Sequence, residues 1–437
     1  MLKLLAFCLL ACLSSVAFGA EPPVTIAAPQ TPWFPGFHHI VDEYQKQTGN
    51  TIHLEVGPFD GLLAKERAAV RSGQSPYGLL IFQVQNFIEF YAGGFLKPLA
   101  EIDPGFKLDP QVLTFDDTVF WNPKANRCER DGGVLMSVPV NPNIPVLYYR
   151  ADLYAQHHLP VPQTFDQLLA NAKALNAPPR VYGFVQRGDR GTLNVGWDFL
   201  PYLYGFGADI LKDQKAGDFT VVLNSPKGLA ALQFYVTLAR EAGHPNPASV
   251  NQADVIQNLA TGHAAQAMIT VAGASQMDDP DKSAVVGKID YAVPPHAQGE
   301  KSTPPLGHWL AGIPNNLPPD QQKAALAFLA WFQTRNAQMD YARAGSPPVR
   351  WDVLESDLTN DPHLRWMKAL DAGLKNARQP FFTKDGPSLG AVFDLKINQA
   401  LAGELTPAAA LNQAAHAMED ILQKDGYHTG ILPDLKE

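Results

Sequence analysis

The chain reads as an α/β protein large enough for two lobes, and three observations lead there. Short β-branched runs alternate with amphipathic helical stretches between Val24 and Val84. The chain has 437 residues, 46% of them hydrophobic, which is enough to bury more than one core. Three extended, proline-marked segments then separate helix-rich blocks.

In chain order, Val24 to Ala28, Thr51 to Val56 and Leu79 to Val84 have the composition of short strands. His38 to Gln47 and Leu62 to Arg71 are expected helices between them, each ending near a glycine, Gly49 or Gly73, suited to a left-handed C-cap. Alternation of this kind implies a parallel sheet whose ligands gather at the carboxyl ends of the strands. Those ends are the loops Thr31 to Phe37, Gly57 to Gly61 and Gln83 to Asn86.

Pro139, Pro142 and Pro145 exclude a helix over Val138 to Leu147, because each lacks an amide donor and biases its predecessor toward extended backbone. Thr164 followed by Gln167 forms a capping-box signal, and Leu168, Leu169, Ala172 and Leu175 mark one face of the helix it opens. Ser225-Pro226 opens another, through Leu229, Leu232, Val236 and Ala239 to Gly243. Ala325, Phe328, Leu329 and Phe332 form an apolar face, and Thr406-Pro407 opens a last helix with a stripe of Leu411, Ala414, Ala415, Met418 and Leu422. These stripes are expected in the core. Tyr291 to His296 and Gly345 to Arg350 are the second and third extended segments.

Residues 1–19 carry a lysine, an apolar run too short to span a membrane and then small residues, the pattern of a secretory signal peptide cleaved after Gly19. Lipid anchoring through Cys12 is the alternative, disfavoured by the short apolar run before it. No later segment has the apolar length of a transmembrane helix. With 34 basic and 43 acidic residues the chain carries a net charge of −9, and loss of Lys3 with the leader makes it more negative. That balance argues against nucleic acid and anionic membranes as partners. Of three cysteines only Cys128 lies beyond the leader, so no internal disulfide is available and a bystander thiol is expected.

The stretch VPVNPNIPVLYYRADLYAQHHLPVPQTFDQLLANAKAL, Val138 to Leu175, resembles the crossover region of family 1 extracellular solute-binding proteins, the maltose-binding-protein-like periplasmic receptors of ABC sugar importers. Tyr77 to Leu99, Ala264 to Gly273, Ile289 to Pro314 and Gly403 to Leu422 are similar to further family segments, in the family's order. The resemblance implies a two-lobed fold with three crossovers and a ligand cleft between lobes. Lobe one is then residues 20–139 plus 294–346, and lobe two 140–293 plus 347–437. It also implies a periplasmic monomer that hands a carbohydrate to an inner-membrane permease and its ATPase, with no catalysis, cofactor or metal. The chain departs from the family pattern at Gly78 and Gln83, and at Ile269-Thr270-Val271, where an aromatic platform is frequent.

A carbohydrate site needs flat apolar faces for C–H surfaces and planar polar groups for paired hydroxyls. Trp33, Phe59 with Asp60, Gln83 with Asn86, Asn141 with Asn143, Asn194 with Trp197 and Asp198, and His308 with Trp309 fit that description at expected loops and strand ends. Trp309→Ala is expected to remove affinity and spare the fold. Arg187 and Arg190, flanking Asp189, have the bidentate chemistry for an acidic sugar or a sugar or glycerol phosphate, against a solvated loop with internal pairing. A polyol is a further alternative.

Enzyme signatures are weak. Gly386 to Gly390 matches G-x-S-x-G without a buried strand before it, and Gly205-Phe206-Gly207 lacks the third glycine of a dinucleotide loop. His38-His39 with Glu43 lacks the order of a zinc helix, and Asp278, Asp279 and Asp281 lack an EF-hand glycine. A saccharide hydrolase or lyase using Asp60 and Asp198 is the rival of another class. A chemosensory receptor without a permease is the third reading.

Overall fold

The computed structural model describes residues 21–83, 85–191 and 193–436. The expected leader and Cys12 lie outside the described residues, and so do the side chains of Phe59 and Asp60. Eight strands matter to the site: β1 (Val24–Pro29), β2 (Ile52–Gly57), β3 (Leu79–Gln83), β4 (Ser137–Asn141), β5 (Pro145–Arg150), β6 (Gln266–Thr270), β7 (Ile289–Ala292) and β8 (Trp309–Gly312). The helices around them include α1 (Phe34–Thr48), α2 (Phe59–Arg71), α3 (Phe87–Ala92), α4 (Phe165–Leu175), α5 (Val195–Gly205), α6 (Pro226–Ala242), α7 (Pro319–Phe332), α8 (Gly386–Ala402) and α9 (Pro407–Lys424).

One sheet has the order β2-β1-β3-β8-β4, the other β6-β5-β7. The chain therefore leaves the first sheet after β4, builds the second from β5, β6 and β7, and returns as β8. β1 pairs in parallel with β2 and β3, as the alternation of strands and helices predicts. β8 runs antiparallel to both β3 and β4, and β5 antiparallel to both its neighbours, so the expectation of a parallel sheet holds for the first three strands alone. The cause is the route: β8 arrives from the other lobe without a βα crossover, so nothing forces it parallel.

The apolar stripes are core. Leu411, Ala414, Ala415, Met418 and Leu422 of α9 and Ala325, Phe328, Leu329 and Phe332 of α7 are fully enclosed, whereas Leu229 of α6 is only partly buried. Each large side chain so buried contributes ~1.5–3 kcal/mol. The Thr164–Gln167 box opens α4 with both reciprocal bonds, each 3.3 Å. Gly49 closes α1 at φ 76, the expected left-handed cap. Gly73 has no such role, because α2 already ends at Ser72 in extended geometry. Gly386 to Gly390 form the first turns of α8, and Gly205-Phe206-Gly207 is the end of α5, so neither glycine motif follows a strand.

Candidate functional site

A cavity of about 300 Å³ lies between the lobes, at the carboxyl ends of β1 and β3. The strands and loops of the five-stranded sheet supply Gln30, Thr31, Pro32, Trp33, Gln83 and Trp309, the segments around the three-stranded sheet and α5 supply Arg187, Gly191, Leu193, Asn194, Trp197, Gln252 and Thr270, and Asn143 and Gly307 lie on the stretches between the two sheets. A hollow of about 900 Å³ around Arg240 and His244 has no Trp, Tyr or Phe on its wall among the described residues. A crevice of about 530 Å³ around Asp116, Lys215, Phe382 and Tyr427 also touches both lobes.

The lobe-one wall is aromatic because two chain segments deliver indoles to one place. Trp33 caps the N-terminus of α1, and its carbonyl accepts a 2.9 Å hydrogen bond from the Ser346 hydroxyl. Gly36 permits that approach, since a Cβ there would lie 2.1 Å from the Ser346 oxygen. Trp309 opens β8, opposite Gln83 on β3 and Asn141 on β4.

On the other wall, the Thr270 hydroxyl donates to the Asn143 side-chain oxygen, and the Asn143 carbonyl accepts from the Gly307 amide at 2.7 Å. Trp197 of α5 lies flat against Gly307, where a Cβ would come within 2.6 Å of its ring. The Arg187 Nε donates to Asp189 at 2.7 Å, and the Asn194 side-chain amide donates to the other oxygen of the same carboxylate at 3.0 Å.

Three polar atoms on these walls are buried without a hydrogen-bond partner among the described residues: the Thr31 hydroxyl and the indole N–H groups of Trp33 and Trp197. An indole N–H only donates, and leaving one buried and unpaired costs ~1–3 kcal/mol.

Of the residues expected from sequence, Trp33, Gln83, Asn143, Asn194, Trp197 and Trp309 converge on the cavity. Four do not line it. His308 faces the opposite side from Gly307 and Trp309, as strand alternation requires; its Nε2 pairs with the Thr118 hydroxyl at 2.9 Å and its ring packs on Phe115. Burial holds that imidazole down to about 3. Asp198 is rotated one helical step from Trp197 into the interior of lobe two, where burial pushes its carboxyl up to about 7. Asn141 is fully enclosed in the sheet, and Asn86 is buried at the start of α3. The Phe59 and Asp60 side chains lie outside the described residues.

Arg187 pairs with Asp189 within the loop as expected, and its own side chain is only 12% exposed. Arg190 is exposed and lines the lobe-two hollow instead. Gln30, Thr31, Gln252 and Thr270 carry no sequence signal of their own; the carboxyl-end rule covers Thr31 only through its loop. Thr270, at the point where the sequence departs from the family's frequent aromatic platform, puts a hydroxyl on the wall. Asp278 pairs with Arg365 at 2.7 Å and Asp279 with Lys282 at 2.7 Å, so two of the three turn aspartates are engaged in ion pairs.

Comparison with known proteins agrees with this architecture. The sequence profile described as bacterial extracellular solute-binding protein matches residues 27–339. A mannitol-binding protein of Pseudomonas aeruginosa is 25% identical over 392 residues, covering 82% of this chain and 83% of its own. An ABC transporter solute-binding protein of Agrobacterium radiobacter, solved in complex with ribitol, superposes with a TM-score of 0.76 at 24% identity, covering 92% of this chain and 99% of its own. The maltose-bound MalE3 of T. maritima gives 0.78 at 23% identity, covering 92% and 100%. At these identities the solved structures establish a shared two-lobed fold.

Proposed function

The chain belongs to the bacterial extracellular solute-binding proteins, and on that premise we propose that it captures a neutral sugar or polyol between its lobes and delivers it to a membrane permease. The observation that carries the reading is the wall itself, where Trp33, Trp197 and Trp309 stand beside the side chains of Gln83, Asn143, Asn194 and Arg187. Hydroxyls of the ligand would pair with these amide and guanidinium groups while its C–H faces lie on the indole rings. The mannitol, ribitol and maltose named for its relatives fall in this class.

The volume, about 300 Å³, is at the small end for ligand pockets and favours a single sugar or an open-chain polyol over an oligosaccharide. Arg187 is the one Lys or Arg on the wall among the described residues, and Asp189 offsets its charge, so it would act as a hydrogen-bond fork toward hydroxyls. Lobe closure about the connections near 139–145, 293–308 and 346–350 would desolvate these contacts and form the surface a permease reads. In this reading lobe one is 20–139 plus 294–346 and lobe two 140–293 plus 347–437.

The protein would act in the periplasm as a monomer after loss of residues 1–19, with no bond made or broken in the ligand. The hydrolase reading needs Asp198 at the ligand, and that side chain does not line the cavity. A thermal-shift screen against monosaccharides, disaccharides, polyols, uronates and sugar phosphates tests the proposal. Saturation at a hundredfold the dissociation constant adds about 2.7 kcal/mol. A rise with a neutral sugar or polyol, recovered unchanged, is expected. A rise with anionic compounds alone, or turnover of the compound, would overturn it.

A further inference from the structure

We propose that Asp394, on α8, is a positioning residue for the ligand cavity: its buried carboxylate fixes the loop that presents Asn194 and Trp197. The ligand part of this rests on the receptor reading above; the tether itself does not.

Asp394 is fully enclosed. One of its oxygens accepts the amides of Gly191 at 2.8 Å and Asn194 at 2.6 Å, and the other accepts the amide of Gly196 at 2.7 Å. Three N–H groups, from the loop before α5 and from its first turn, thus converge on a single carboxylate about two hundred positions away in sequence. The loop is not one the chain adopts unaided. Leu193 sits at φ 71, in the left-handed region, and Asn194 at φ −89, ψ −83. For a residue with a Cβ the left-handed conformation of Leu193 is strained, and it persists where its surroundings over-determine it.

The surroundings here are α8. A Cβ on Gly196 would lie 2.6 Å from the Phe393 ring and 2.8 Å from the Asp394 carboxylate, so only glycine lets the amide reach the acceptor. Gly390, one helical turn earlier, admits Leu193 to a distance its own Cβ would narrow to 3.1 Å. The consequence reaches the cavity directly. Gly191, Leu193, Asn194 and Trp197 all line it, and Asn194 in turn shares Asp189 with Arg187. An ionised carboxylate has lone pairs for all three amides, whereas the amide of Asn would offer one oxygen and turn a donor toward the remaining N–H.

The test is a double-mutant cycle of Asp394→Asn and Asn194→Ala, read by calorimetry at neutral pH with D-mannitol, ribitol and maltose as probes. Each single change should weaken binding of whichever probe the wild type takes by tenfold or more, and the double variant should be little weaker than the worse single. A general loss of stability would instead lower the melting temperature while the two affinity effects multiplied, and multiplicative effects, or wild-type affinity in Asp394→Asn, would overturn the proposal. Amide hydrogen exchange on the unliganded wild type needs no variant and no ligand. Core-like protection at Gly191, Asn194 and Gly196 is expected, and rapid exchange there would refute the tether. If no probe binds the wild type, those three compounds are excluded as ligands, and that protection alone decides whether Asp394 holds the loop.

Discussion

Trp33 and Trp309 meet edge to face, ring centroids 5.6 Å apart and planes inclined at 61°. One comes from the loop after β1 and the other from the strand that returns from lobe two, and they are only 1% and 5% exposed. The aromatic wall of the cavity is therefore also part of the lobe-one core, with Phe37 and Phe328 behind it. Binding surface and packing are not separable here.

Trp309→Ala should accordingly do more than the sequence leads one to expect. Removing a buried indole leaves a void and costs ~3–5 kcal/mol of stability, in addition to most of the ligand affinity. Trp309→Phe should lose less of both. Denaturant unfolding beside calorimetry checks this, and an Ala variant of wild-type stability would show that the ring does not support the core.

Arg187→Lys keeps the charge and loses the planar fork that Asp189 orients. A tenfold or greater loss of affinity for the neutral ligand is expected, with no preference for uronates in the wild type. Tighter binding of a uronate than of its neutral parent would mean that Asp189 does not offset the guanidinium.

Asp198 gives a pH signature. Its carboxyl is raised by burial from the ordinary 3.8 to about 7, so the folded protein keeps a proton that the unfolded chain releases. Stability from this group is present at low pH and is lost as pH rises from about 4 through 7. Asp198→Asn should raise the melting temperature by a few degrees at about pH 8, the gain vanishing toward about pH 4. A pH-independent difference between the two proteins would place the proton elsewhere.

His308 works in the opposite sense. Its imidazole is lowered by burial from 6.5 to about 3, so below about pH 6.5 the unfolded chain takes up a proton that the folded protein refuses. The cost is roughly 1.4 kcal/mol per pH unit until the folded group also titrates. His308→Gln should flatten the acid limb of the stability curve, measured by urea unfolding between about pH 4 and 7; an unchanged slope would count against a neutral, buried ring.

The sequence by itself determined the strands β1 to β3, the helices between them, the capping box at Thr164 and the core stripes of α7 and α9. These follow from local periodicity, capping and turn chemistry, which act over a few residues. Six cavity residues, Trp33, Gln83, Asn143, Asn194, Trp197 and Trp309, were legible because they are aromatic or amide groups expected at loops and strand ends, although Trp197 lies within α5.

Only the tertiary structure decided which member of each adjacent pair faces the ligand. Trp309 does and His308 does not; Trp197 does and Asp198 does not. A shift of one residue in a strand, or of one step on a helix, turns a side chain from cavity to core. That phase is set by how β8 returns antiparallel between β3 and β4 and by how α5 beds on α8. Both are long-range contacts, as is the grip of Asp394 on the 191–196 loop, and no local pattern in the chain encodes them.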